Sequence, residues 1–443
     1  MDQGFRGQDH TGSIVMLGRR GLLQGFAAAA AAAAAGPALG KASERYMALQ
    51  ALIDDYVAEG LVPGAVVGIL RPGRFKPVWL TAGRSLFEGG APVSPTGTLW
   101  RIFSMTKPIT GIAVMQQVAA GRLTIDTPVA EVMPEFRQMR VLVDPEKGLE
   151  SRPAEKPILV RHLLTHTAGF SYTIAGNGPL EKEYRRLGLQ PMAAGTLVGP
   201  GDAPAPDLRT YMERLATLPL HYEPGSKWRY SIGLDVAGAL LERLTGKTLD
   251  RVFQDQLFGP LGMNDTAFSV SPVQQVRLSG LYAWGDPRTG KPLPKPTLID
   301  GPQKTELATR PTMLAGGAGL VSSADDYARF AQMMLNEGMF EGKVLLLRQV
   351  ARLAMSNLME KGVTFYKFDG NGAGGRAILS DRTKLDPGTY PVGTWGWGGA
   401  ASTLFHVDQV RGHAVVLMLQ SFGNPKGPDE KRYNRAVNND LPI

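Results

Sequence analysis

A single proline, Pro108, restricts where a helix can begin in the segment 100–115. The apolar residues that follow it recur at the spacing of one helical face: Ile109, Ile112, Ala113 and Met115. Because proline has no N–H to donate, it fits only the first turn of a helix. The sequence therefore predicts an apolar approach followed by a helix that begins close to Ser104.

Ser104 and Lys107 are candidates for a nucleophile and its base within one helical turn. The N-terminus of a helix stabilises developing negative charge, and a lysine three residues on lies on the same face as the serine. A serine hydroxyl needs a base to remove its proton, and a lysine can act as that base when desolvation favours its neutral form. The alternative is a serine cap followed by a solvated lysine, since this spacing occurs about once by chance in a chain of this length.

The composition indicates a soluble globular protein with many loops. The chain has 443 residues, of which 43% are hydrophobic, 54 are glycine and 32 are proline. Its net charge is +8, but the basic residues are scattered, which argues against nucleic-acid binding. Cysteine is absent, so disulfides, thiol catalysis and cysteine metal sites are excluded.

Residues 1–40 have the pattern of an export signal. The pair Arg19-Arg20 precedes an apolar run, 26–35, and small residues follow it. This order is typical of a twin-arginine signal and predicts a periplasmic or secreted protein. The run is too short to span a bilayer, so we expect no stable membrane insertion after the signal is removed. A disordered alanine-rich leader is the alternative, and Met16 could equally be the start residue.

The rest of the chain alternates between helical and extended patterns. Predicted helices cover 44–59, 158–170 (ended by Gly169), 234–244 and about 324–336. Extended patterns cover 65–70, 77–83, 316–322, 402–407 and 412–419. Two stretches rich in Gly, Pro, Ala or Lys, 171–207 and 281–312, read as loops, and we expect the first to lie over a cleft as a lid.

His162 and His166 have the i, i+4 spacing of zinc-binding histidines on a helix. The position after His162 is Leu163, where the zinc motif has a glutamate, and no acidic third ligand is obvious. We therefore favour a hydrogen-bonded structural role for His166 and predict neither a metal site nor a cofactor.

Three motifs far apart in the chain together resemble those of one superfamily. They are Ser104-x-x-Lys107, Tyr230-Ser231-Ile232 after Glu223-Pro224-Gly225, and Trp395-Gly396-Trp397-Gly398-Gly399-Ala400. The combination resembles the serine β-lactamases and penicillin-binding proteins, in particular the class C branch and the family VIII carboxylesterases. The resemblance covers nearly all of residues 44–420 and includes Leu163–Gly169, Pro260–Asp265 and Gly316–Asp326.

The resemblance implies a role for each motif. Ser104 would be the acylated nucleophile, and Lys107 and Tyr230 would share the proton transfer as a coupled pair. The backbone N–H groups of Ser104 and Ala400 would form the oxyanion hole.

The departures from the class C pattern concern the substrate. Where class C β-lactamases have an asparagine after the tyrosine, this chain has Ile232, and where they have Lys-Thr-Gly it has Trp397-Gly398-Gly399. Loss of a cation and an amide favours a neutral, apolar acyl group. Trp-Gly-Gly is the variant that family VIII esterases have, and its glycines would let the backbone approach the substrate.

The resemblance thus implies an α+β fold, β-lactamase/transpeptidase-like, with an antiparallel sheet flanked by helices and a mainly helical subdomain. We expect one hydrolase domain over 41–443, with an α/β part at about 41–100 and 310–443 and a helical part at about 101–309. The predicted function is metal-free hydrolysis of a short-chain or aryl ester, a small-molecule substrate, through an acyl-Ser104 intermediate. β-Lactamase or D-amino-acid peptidase activity is the alternative within enzymes, and a non-catalytic peptide binder is the alternative outside them.

Overall fold

The structure is a computed structural model that describes residues 43–190, 204–285, 291–424 and 427–442. The predicted export signal, 1–40, lies outside these ranges. By its internal contacts the chain divides into Met1–Arg45 and Tyr46–Ile443, and the fold and the site both belong to the second unit. The predicted division of 41–443 into α/β and helical parts stays a prediction.

The α-helices of the described residues have the following bounds. In chain order they are α1 Met47–Ala58, α2 Thr106–Ala119, α3 Val160–Leu164, α4 Pro179–Arg186, α5 Leu208–Leu215, α6 Gly233–Thr245, α7 Leu249–Phe253, α8 Gly259–Leu261, α9 Pro272–Gln275, α10 Ala324–Leu335, α11 Arg348–Met355 and α12 Glu430–Asp440.

The strands are short, and most belong to hairpins. They are β1 Gly64–Leu70, β2 Val78–Gly83, β3 Leu99–Arg101, β4 Arg140–Leu142, β5 Ser151–Pro153, β6 Leu281–Gly285, β7 Pro292–Asp300, β8 Val321–Ser323, β9 Met339–Phe340, β10 Lys343–Val344, β11 Gly370–Asn371, β12 Arg376–Ala377, β13 Thr394–Gly398, β14 Leu404–Asp408, β15 His413–Met418 and β16 Ser421–Phe422.

Within the described residues, seven strands form an antiparallel sheet in the order β11-β12-β13-β14-β15-β1-β2. The strand order joins the two ends of the chain, because β1 pairs with β15 across more than 300 residues. Every residue of β1 and β15 is buried, so both faces of the sheet are covered at its centre. Helix α10 packs on β1, β14 and β15, while α1 packs on β1, β2 and α12.

The predicted hairpin at 65–83 is confirmed, and one glycine explains its packing. Gly68 pairs with Trp79, and a side-chain carbon at Gly68 would lie 2.4 Å from the Trp79 ring. The glycine therefore lets the indole lie across the neighbouring strand.

Three predictions of local structure were wrong. The stretch 171–207 contains helix α4, whose residues Leu180 and Tyr184 are fully buried, although residues 191–203 of this stretch lie outside the described ranges. The stretch 281–312 contains the hairpin β6–β7, because tertiary pairing with β16 overrides its proline content. Helix α3 ends at Leu164, so Gly169, at φ +88°, lies in the loop beyond it.

The helices around α2 form the wall of the site. Helix α2 contacts α6, α7 and α11, and it contacts the sheet at β13. It begins at Thr106 with Pro108 in its first turn, as predicted, and Ile109, Ile112, Ala113 and Met115 are fully buried. No helix among the described residues combines the length and apolar character needed to cross a bilayer.

Candidate active site

Ser104 lies in a tight turn that leads into α2. The turn is a 3₁₀ segment, Phe103–Met105, which continues directly into the α-helix at Thr106. Phe103 has φ +41°, in the left-handed region that an aromatic residue rarely adopts. The first N–H groups of a helix have no acceptor within the helix. Because Ser104 lies at this helix start, its N–H and its hydroxyl are both at the end of the helix where such N–H groups lie.

The three polar groups predicted to act together converge on one oxygen. The Ser104 Oγ lies 2.7 Å from the Tyr230 Oη and 3.2 Å from the Lys107 Nζ. Lys107 is fully buried, and its Nζ also donates to the Gly317 carbonyl at 2.7 Å. The ammonium position lies 4.8 Å from the centre of the Tyr230 ring. A proton can therefore pass from Ser104 to either neighbour without an intervening group.

Asp235 is a buried carboxyl behind this cluster. Its Oδ1 accepts the Gly317 N–H at 2.9 Å, so Gly317 contacts Lys107 through its carbonyl and Asp235 through its amide. Burial raises the pKa of Asp235 to about 6, although the Lys107 charge and the Gly317 N–H act in the opposite direction.

His166 supports Tyr230 from the side. Its Nδ1 accepts the Ser231 backbone N–H at 3.2 Å, and its ring centre lies 4.8 Å from that of Tyr230. Burial first, and then the charge of Lys107, hold the pKa of His166 well below its usual value, so the ring is neutral with its proton on Nε2. A structural, hydrogen-bonded His166 agrees with this geometry.

The two histidines do not share a helical face. Helix α3 ends at Leu164, and His166 follows it with φ +59°, so the i, i+4 relation predicted from the spacing does not hold. The His162 Nδ1 instead accepts the Leu159 N–H at 3.1 Å. Among the described residues, no cluster of three or more His, Asp or Glu side chains is arranged to bind a metal ion.

A second buried network fixes the segments on either side of Tyr230. Glu181 on α4 accepts hydrogen bonds from Ser171 Oγ, from His221 Nε2 at 2.8 Å and from Arg229 Nη2 at 2.8 Å. Burial alone would raise the pKa of Glu181, but the bonds from Ser171 and His221 outweigh it and hold the pKa at about 2. Arg229 directly precedes Tyr230, so this carboxylate joins α4 to the Tyr230 segment.

Replacing Glu181 with glutamine should destabilise the fold and lower kcat several-fold. The change leaves the partly buried Arg229 and the buried His221 facing a neutral amide, which costs about 1–3 kcal/mol in the free energy of unfolding. Since the folded-state pKa lies below 4.5, the carboxylate's contribution is present above about pH 4.5 and is lost as the pH falls toward 2. Urea unfolding at pH 7, 5 and 3.5 should show that the difference in free energy of unfolding between wild type and Glu181→Gln becomes smaller as the pH falls.

Glu183→Gln is the matched control, because Glu183 lies on the same helix and, within the part of the chain that the structure describes, its carboxylate pairs only with the exposed Arg186. If the difference in free energy of unfolding between wild type and Glu181→Gln stays constant down to pH 3.5, this prediction is contradicted.

The Trp397 segment closes the site from the sheet. β13 ends at Gly398, and Gly399–Ser402 form a turn closed by the bond from Ser402 N–H to Gly399 O at 2.9 Å. In such a turn the N–H of the second residue, Ala400, is not used by the turn itself. The backbone here closely approaches the segment that precedes Ser104, since a side-chain carbon at Gly399 would lie 2.4 Å from the Ile102 carbonyl oxygen.

A cavity of about 350 Å³ contains most of the predicted site residues. It is lined by Ser104, Tyr230, Trp397, Gly398, Gly399 and Ala400 among others. Lys107 lies behind Ser104, and Ile232 is fully buried in the core at the start of α6, outside the lining of the cavity. Any contact of Ile232 with substrate stays a prediction.

The residues of the outer wall of this cavity were not predicted from the sequence. Phe365, Tyr366 and Ile174 line it on one side, and Arg376, Tyr390 and Glu430 line it on another. The 171–190 segment reaches the cavity at Ile174, and a role of this stretch as a lid stays a prediction. The segment Phe365–Phe368 has no catalytic motif, although its three aromatic residues and one lysine in a short turn could have marked it in the sequence.

Comparisons with known proteins agree with this fold. A family model described as Beta-lactamase matches residues 49–439. Esterase EstB of Burkholderia gladioli is 32% identical over 387 residues, covering 84% of this chain and 90% of EstB. Lovastatin esterase of Penicillium rubens is 30% identical over 392 residues, covering 84% of this chain and 91% of that protein.

A solved structure is similar over the same length. EstCE1, a hydrolase with promiscuous acyltransferase activity, matches with a TM-score of 0.68 at 25% identity, covering 91% of this chain and 99% of EstCE1. These findings confirm the predicted superfamily, the α+β fold and the predicted enzyme class. The chain therefore belongs to the beta-lactamase family, in its carboxylesterase-like branch of serine hydrolases.

Proposed function

We propose that this protein hydrolyses short-chain or aryl esters through an acyl intermediate on Ser104. The observation that carries the proposal is the convergence of Lys107 Nζ and Tyr230 Oη on the Ser104 Oγ at the wall of an apolar cavity. The esterase names of EstB and lovastatin esterase support an ester as the substrate.

The proposed reaction has two halves. Ser104 Oγ attacks the ester carbonyl carbon while its proton passes to the Lys107–Tyr230 pair. The N–H groups of Ser104 and Ala400 stabilise the oxyanion, and the alcohol leaves with the proton that the pair returns. Water then loses a proton to the same pair and attacks the acyl carbon. When the bond from the acyl carbon to Ser104 Oγ breaks, the acid is released and the pair returns the proton to Oγ, which restores the hydroxyl.

The character of the lining supports a neutral substrate. Trp397, Phe365 and Tyr366 present aromatic rings to the cavity, and Phe365 lies 5.9 Å from Trp397 between ring centres. The cationic side chain in the lining, Arg376, is paired with Asp369 at 2.7 Å. A substrate carboxylate would therefore lose its hydration without gaining an unpaired cation.

The test combines turnover with active-site labelling. The purified protein should hydrolyse p-nitrophenyl butyrate. Mass spectrometry should show that a fluorophosphonate probe labels the peptide that contains Ser104, and activity should fall in proportion to the labelled fraction. Hydrolysis without labelling at Ser104, or labelling of another serine, would contradict the acyl-Ser104 mechanism.

Export by the twin-arginine route is part of the same proposal and rests on the sequence of residues 1–40. With Arg19 and Arg20 both replaced by lysine, folded active protein should remain in the cytoplasm. Unchanged periplasmic activity would exclude this route.

A further inference from the structure

The cavity continues well beyond the reacting oxygen, along the bare face of β13. Side chains alternate along a strand, so Thr394, Gly396 and Gly398 share one face, and the two glycines leave it without side chains. All three residues line the cavity. Four steps of about 3.3 Å separate Thr394 from Gly398, so the cavity reaches about 13 Å from the Ser104 end.

The far end is polar, and its charged groups are already paired. Arg376 binds Asp369 at 2.7 Å and lies 3.4 Å from Glu430. Tyr390 and Glu430 line the cavity at this end as well. An anionic or cationic ligand group would have to compete with these existing contacts.

One polar group at this end is unpaired. Thr394 is 2% exposed, and among the described residues its hydroxyl has no hydrogen-bond partner. A buried hydroxyl without a partner costs free energy, and a ligand that can accept or donate a hydrogen bond relieves that cost. Thr394 belongs to the lining of the cavity, so a ligand in the cavity lies next to this residue.

We propose that Thr394 binds an uncharged hydroxyl group carried by the substrate about 13 Å from the ester carbonyl, on an apolar or aromatic spacer. This inference rests on the proposed esterase function and names its substrate class. The substrate is then an ester of a hydroxylated aryl or alicyclic compound. The aromatic rings near Ser104 contact the spacer, and the bare strand face accommodates its length.

Two matched pairs of esters test the inference. In the first, 4-(4-hydroxyphenyl)butyl acetate is compared with 4-(4-methylphenyl)butyl acetate, which places the hydroxyl in the alcohol half. In the second, methyl 5-(4-hydroxyphenyl)pentanoate is compared with its 4-methylphenyl analogue, which places it in the acyl half. We expect kcat/KM to favour the hydroxyl compound by about five- to thirtyfold in one of the two pairs, since a site that hydrogen-bonds a hydroxyl rejects an analogue that lacks it.

Variants at Thr394 assign the preference to this residue. Thr394→Val has nearly the same shape and should abolish the preference for the hydroxyl compound, whereas Thr394→Ser should retain it. Thr383→Val, in the neighbouring loop outside the cavity lining, is the control and should behave as wild type. Thr394→Val should not lower Tm, because the hydroxyl it removes has no partner.

The outcomes separate this inference from the function on which it rests. Equal kcat/KM within both pairs, with p-nitrophenyl acetate still hydrolysed, would overturn the Thr394 site and leave the esterase function intact. A preference that survives Thr394→Val would also overturn it. Failure to hydrolyse any ester would instead overturn the proposed function.

Discussion

Ser104→Ala is expected to lower kcat/KM for p-nitrophenyl butyrate by at least about 10⁴-fold and to abolish fluorophosphonate labelling. The substitution removes one hydroxyl from a turn whose backbone is fixed by β3 and α2, so the fold should be retained. Circular dichroism and Tm measured beside the kinetics separate loss of chemistry from loss of structure.

Lys107→Ala and Tyr230→Phe should each cost orders of magnitude, and the double variant should cost far less than the product of the two effects. Both groups contact the same Ser104 Oγ, so once one is removed the other can no longer complete the proton transfer. Multiplicative effects would indicate that the two residues act in separate steps.

Ser226→Ala is the matched control for Ser104→Ala. The Ser226 hydroxyl donates to the Glu223 carbonyl in a surface turn, and Ser226 does not line the cavity. Its removal should leave turnover and labelling unchanged. Near-normal activity in Ser104→Ala would end the assignment of the nucleophile.

The start of the helix near Ser104 could be predicted because it depends on a single nearby residue, a proline. Pro108 can occupy only the first turn, and the structure begins α2 at Thr106. The hairpin β6–β7 was not predictable in the same way, since its prolines argue against strands and β6 pairs with β16, about 140 residues later. Local propensity fails where a partner distant in sequence supplies the hydrogen bonds.

The same distinction applies to the site. Motifs whose residue types and spacing indicate their chemistry contain Ser104, Lys107 and Tyr230. In the structure, the side chains of Lys107 and Tyr230 both contact the Ser104 hydroxyl. Thr394 and Glu181 carry no motif, and their significance comes from burial and from which partners they have or lack. Ile232 is a different case, because its place in a motif suggested substrate contact, its side chain is buried in the core, and the contact stays a prediction.

Substrate charge is the property in which we expect this enzyme to differ most from a β-lactamase. A lysine beside a substrate carboxylate in a partly desolvated site contributes roughly 1.5–3 kcal/mol through a charge-assisted hydrogen bond. If that interaction is made in the transition state, it corresponds to about ten- to hundredfold in kcat/KM. Trp397 occupies the corresponding place and cannot supply the charge, so kcat/KM for p-nitrophenyl acetate or butyrate should exceed that for nitrocefin by orders of magnitude.

Trp397→Lys should shift this ratio toward β-lactams by about ten- to hundredfold, because Trp397 is only partly buried and the new ammonium can reach the cavity. The change should be made alone, since Ile232→Asn would bury an amide in the core, where a polar group without a partner costs about 1–3 kcal/mol.

Trp397→Met removes the indole without adding charge, so it is the control for the space that the indole occupies. If Trp397→Met shifts the ratio as far as Trp397→Lys, then steric exclusion rather than charge separates esters from β-lactams. Preference of the unmodified enzyme for nitrocefin over the p-nitrophenyl esters would contradict the neutral-substrate assignment altogether.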